Sequence, residues 1–63
     1  MKILSADKVK KLPVGTDVRL VRESDSAAAM MWIVKSGRKK LLKGVYAEHE
    51  IADRQGWHYE VEE

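Results

Sequence analysis

Eight consecutive residues, Ala27 to Val34 (AAAMMWIV), carry no polar side chain in a chain of only 63 residues with no cysteine. A domain this small buries only about 60% of the surface its unfolded chain exposes. Small folds commonly add disulfides, a metal or a partner subunit. Without cysteine, disulfides and thiolate metal sites are both excluded. The apolar run must therefore be hidden by packing or by association. Read as a strand, it has Ala28, Met30, Trp32 and Val34 on one face and Ala29, Met31 and Ile33 on the other. Both faces are apolar, so the expectation is a strand buried on both sides, covered by an N-terminal helix or a second copy of the chain. The alanines favour helix, but Trp32-Ile33-Val34 favours strand, and strand is preferred.

Directly after the run comes the densest basic cluster. Lys35, Arg38, Lys39, Lys40 and Lys43 follow one another with no acid among them. Ser36-Gly37 is a turn dipeptide, so 28–35 and 38–46 read as two strands of a hairpin with a basic tip. Leu41, Leu42 and Val45 are the apolar contribution of the second strand, and Gly44 marks a bend. Net charge is only +2, but the acids cluster elsewhere. From Glu48 onward Glu48, Glu50, Asp53, Glu60, Glu62 and Glu63 face a single base, Arg54. Such polarity can steer a partner or pair two copies.

The remaining segments are short. Ser5 has the position of an N-cap, with Leu4 and Val9 placed as a hydrophobic staple. This predicts a helix over 5–12, ended by Pro13. Leu12-Pro13-Val14-Gly15 reads as a type I turn with Pro second and Gly fourth. Residues 16–23, TDVRLVRE, alternate as a half-buried strand with Val18 and Leu20 inward. Residues 47–51 fit a helical turn or an irregular link. Asp53-Arg54-Gln55-Gly56 reads as a tight turn. Residues 57–62 then alternate as a strand, Trp57, Tyr59 and Val61 inward and His58, Glu60 and Glu62 outward, where the acids would guard a sheet edge.

The sum is one domain over 1–63, mostly β, with four strands and one short N-terminal helix. Bent strands in so short a chain suggest a small SH3-like or Tudor-like barrel, or a curled four-stranded antiparallel sheet. The phrase Leu12-Pro13-Val14-Gly15-Thr16-Asp17-Val18-Arg19-Leu20-Val21 resembles the opening of such barrels. A 44% apolar fraction argues against disorder. No apolar run approaches the roughly 18 residues of a membrane span, and the N-terminal residues lack the apolar core of a signal peptide. The expectation is a cytoplasmic protein that does not engage membranes.

No enzyme is expected, and no small-molecule substrate, metal or cofactor. Ser5, Ser24, Ser26 and Ser36 have no recognisable spacing to His49 or His58. Glu48-His49-Glu50 cannot chelate as a unit, because adjacent residues of an extended chain point apart. Only His49, His58 and a carboxylate of the neighbouring turn could converge. The first expectation is a small interaction protein that self-associates as a homo-oligomer and binds a protein partner through Met30, Met31 and Trp32, types suited to partner surfaces. Small proteins of this kind are associated with phages and mobile elements. The second expectation is nucleic-acid binding by Lys35, Arg38, Lys39, Lys40 and Lys43, extended by Lys8, Lys10 and Lys11.

Overall fold

A computed structural model describes residues 1–62. The protein is mostly β: strands β1 (Lys2–Leu4), β2 (Asp17–Arg22), β3 (Ala28–Ser36), β4 (Lys39–Lys43), β5 (Glu48–Glu50) and β6 (Trp57–Val61), with one short helix, α1 (Ala6–Val9). The strands form one antiparallel sheet in the order β1-β6-β2-β3-β4-β5. Two of the six strands are additions to the expected four. The Ile3-Leu4 entry pairs with β6 as β1, and the ambiguous 47–51 segment supplies β5. In consequence β6 lies between β1 and β2, so the acids of 57–62 do not guard an edge.

The sheet is curled but not closed, because β1 and β5 end the order unpaired with each other. Flat, six strands about 4.8 Å apart would span roughly 24 Å. Yet Leu4, Val9, Val18, Leu20, Met31, Ile33, Leu42, Ile51, Tyr59 and Val61 form a single buried cluster. Ile33, Leu42, Val9 and Val18 are fully buried at its centre. Helix α1 sits on this inner face, contributing Ala6 and Val9.

Side chains bonded to backbone hold the curl shut. Asp53, just past β5, accepts a hydrogen bond at 3.0 Å from the amide of Ala6, just past β1. The neighbouring Ala52 is gripped by Tyr59, whose hydroxyl accepts from the Ala52 amide at 3.1 Å and donates to its carbonyl at 2.8 Å. Lys40 donates to the Leu12 carbonyl at 2.7 Å and ties β4 to the segment after α1. Ser5 does occupy the N-cap, in extended conformation, but its side chain makes no capping bond. The expected serine cap is replaced by a carboxylate from the other end of the sheet. The helix is also shorter than expected. After Val9 it tightens into i+3 bonds from Lys11 to Lys8 and Leu12 to Val9 before Pro13.

Two turns fall one residue later than the sequence pattern implies. Thr16 bonds back to Pro13, and Trp57 to Arg54. This puts Gly15 (φ +91°) and Gly56 (φ +81°) third in their turns, the position that needs positive φ in a type II turn. The β3–β4 loop is Gly37-Arg38, with Ser36 opposite Lys39 and Gly37 at φ +62°. That is the glycine-first pattern of a type II′ hairpin. β4 ends at Lys43, and Gly44 to Ala47 form a loop closed by Gly44 N–H to Ala47 O at 2.8 Å. Val45 and Tyr46, expected within the strand, are instead 78% and 98% exposed.

Because Asp53 rather than Ser5 caps α1, Asp53→Ala is expected to cost about 1 kcal/mol, the usual loss for a helix cap. Ser5→Ala should cost well under half of that. Urea unfolding of the two variants, followed by tryptophan fluorescence, checks the ranking.

Candidate functional site

The apolar run is β3, as expected, but it is buried on one face only. Met31 (2% exposed) and Ile33 (0%) enter the core. Met31 is thereby withdrawn from the surface set Met30, Met31 and Trp32, since alternation places it inside when its neighbours are outside. On the outer face Met30 is 51% exposed, and Trp32 and Val34 are half-buried. Leu41 of β4 lies directly across from Val34 and is half-buried too. The same face also carries Val21 of β2, which is buried, Ala28 across from it, and the exposed Ile3 of β1, along with charged side chains. Trp32 stands between Asp17 of β2 and Lys43 of β4, with Glu48 of β5 beyond. Met30 stands beside Arg19, which faces Glu60. On β3 and β4 the outer face therefore carries an apolar stripe of four residues, Met30, Trp32, Val34 and Leu41, flanked by Asp17, Arg19, Lys43 and Glu48. Helix α1 lies on the opposite face, so it cannot cover the stripe.

The basic residues divide into two groups. Arg38, Lys39 and Lys40 line a cleft of about 440 Å³ together with Lys10 of the helix segment, Leu41, Glu50 and Ile51. Lys35 stands across the hairpin from Lys40. Lys43 is at the far end of β4, on the outer face beside Trp32, and does not join the cleft. The helix lysines separate as well. Only Lys10 faces the hairpin, whereas Lys8 and Lys11 share another hollow with Lys2, Leu4 and Val61.

The histidines are apart, with β2, β3 and β4 between β5, which carries His49, and β6, which carries His58. Among the described residues no three His, Cys, Asp or Glu side chains form a metal-holding group. His58 instead lies between two carboxylates: Nε2 is 2.6 Å from Glu60 and Nδ1 is 3.0 Å from Glu23. Both ring nitrogens donate when the imidazole is protonated, so first Glu60 and then Glu23 raise its pKa above the ordinary value. Neither nitrogen is left open to activate a hydroxyl. Glu60 is two residues from His58 and therefore on the same strand face, a placement visible in the sequence. Glu23 reaches it only through the pairing of β2 with β6.

The β2–β3 connection is also fixed by charge. Arg22 donates to both oxygens of Asp25, at 3.0 and 2.6 Å, and Asp25 also accepts from the Ala27 amide. These donors lower the Asp25 pKa to about 2. The Arg22 guanidinium lies 5.8 Å from the centroid of the Trp57 ring, within cation–π range. Trp57 is an inward-facing residue left 37% exposed at the rim of the core. Among the described residues no helix is long and apolar enough to cross a membrane. Comparison with protein-family models, with curated proteins and with solved structures gave no match.

A histidine whose pKa is raised by folding adds stability below its unfolded pKa of about 6.5. That contribution is lost as pH rises through the higher folded value. Tm is therefore expected to fall from pH 6 to pH 8, and His58→Gln should flatten the fall. Thermal melts of both proteins across that range check the sign.

Proposed function

We propose that this chain is a small non-enzymatic interaction protein that self-associates through the outer face of β3 and β4. The observation that supports it is the stripe of Met30, half exposed, with Trp32, Val34 and Leu41, each half-buried, on the face opposite α1. Four large apolar side chains side by side on a sheet are an unusual investment for a surface of a chain this small. Methionine and tryptophan are also the types that interface centres favour.

The occupant that suits this face is a second copy. Asp17, Trp32 and Lys43 lie in one cross-strand row. Turning a second copy over about an axis along β3 places β4 of each copy on β2 of the other. Trp32 then meets Trp32, and Lys43 meets Asp17 twice. The row is self-complementary in charge on either side of an apolar centre, the requirement of a twofold interface.

Wild-type protein is expected to sediment as a dimer at tens of micromolar, with little dependence on salt. Met30→Lys with Val34→Lys, at side chains outside the core, should give a folded monomer. Sedimentation equilibrium decides it. A wild type that stays monomeric at millimolar concentration ends the self-association reading and leaves the stripe for a different protein.

A further inference from the structure

We propose that the cleft between the helix segment and the β3–β4 hairpin binds the phosphate backbone of nucleic acid without reading its sequence. The site adjoins the stripe at Leu41, which belongs to both, but its cations lie outside the stripe: Arg38, Lys39 and Lys40 at the hairpin end of β4 and Lys10 after α1. Three observations meet there. First, residues separated by 28 positions are brought to one cleft, Lys10 joining Arg38, Lys39 and Lys40, and Glu50 is the lone acid in the lining. Second, these cations are not neutralised internally. Among the described residues the ion pairs are Arg22–Asp25, His58–Glu23 and His58–Glu60, and none includes a cleft residue. Lys35 is moreover held directly across from Lys40, a like-charge cross-strand pair that opposes folding. Third, the arrangement is built: Lys40 donates to Leu12 O at 2.7 Å, locking the hairpin to the segment that carries Lys10.

The lining also selects the class of anion. Leu41 and Ile51 are its apolar residues, and among the described residues it holds no aromatic side chain. A protein-binding surface is expected to have an apolar and aromatic centre, which here is Met30, Trp32 and Val34 of the stripe, none of which lines the cleft. Nucleic-acid interfaces are more polar and far more positive. Without an aromatic on which bases can stack, the contacts available are to phosphates. Tyr46, the most exposed aromatic, is in the loop at the other end of β4.

The test is fluorescence anisotropy with a labelled DNA duplex of random sequence, titrated with the full chain from about 50 to 200 mM salt, a range over which phosphate contacts are resolved. With roughly three phosphates engaged, the slope of log K against log salt is expected near −3, at about −0.9 for each. Arg38→Glu with Lys39→Glu should weaken binding more than about ten-fold. Lys8→Glu with Lys11→Glu makes the same change in net charge outside the cleft, and should weaken it less than about three-fold. Circular dichroism establishes that each variant is folded, and if either is not, Arg38→Gln with Lys39→Gln is compared with Lys8→Gln with Lys11→Gln instead. Absence of binding at the lowest salt overturns the proposal. So does an equal loss in the two double variants, which would reduce the effect to net charge alone.

Discussion

The structure depends on bringing together two sheet edges that never pair. An open antiparallel sheet of six short strands has a hydrophobic face and nothing to lay it against, and no disulfide is available to hold it bent. The solution is a set of hydrogen bonds from side chains to backbone. The Asp53 carboxylate takes the free amide at the start of α1, and Tyr59 satisfies both polar groups of Ala52 beside it. Each joins a group that would otherwise lie unpaired in a partly buried place, where the desolvation penalty of an unmade bond makes the made one count. With the edges held near each other, one helical turn is enough to stopper the inner face, and Val9 can be fully buried although α1 has four residues.

That solution decides what happens to β3. A strand in the middle of a curled sheet has a concave side that faces the core and a convex side that faces outward. Met31 and Ile33 take the concave side. Met30, Trp32 and Val34 are left on the convex side, with cover only from their neighbours. The two apolar faces of the run thus end in different places. One faces the core, and the other faces outward. The basic cleft arises from the same curl, because the helix lysine and the hairpin tip meet only when the sheet bends.

Much of this was legible in the residues. Alternation placed Val18, Leu20, Tyr59 and Val61 in the core, and β-branched and aromatic residues made the 28–35 segment a strand. The class, mostly β with one short N-terminal helix and a curled antiparallel sheet, follows from those patterns. What escaped was non-local. Nothing near Ser5 announces that Asp53, 47 residues on from Ala6, will cap the helix. Three-residue strands such as β1 and β5 are too short to show a period. Both misplaced turns contain a glycine that fits two turn types, last in type I or third in type II, and only the backbone angle separates them. Met31 could not be told from Met30 as surface or core while both faces of the run were equally apolar. The pairing of His58 with Glu60 was available from spacing, but Glu23 needed the register of β2 on β6.

The placement of β1 has a kinetic consequence. Its partner is β6, so the beginning of the described chain finds its neighbours only when nearly all of the rest has been made. A ribosome would release residues 2–4 with nowhere to dock, while the β3–β4 hairpin, joined by two residues, could already close on itself. Non-local pairing of this kind slows folding, because loop entropy is lost before contacts compensate it. The expected order is inside-out: the local β3–β4 hairpin closes early, and β1, whose partner is the last of the six strands in sequence, joins late.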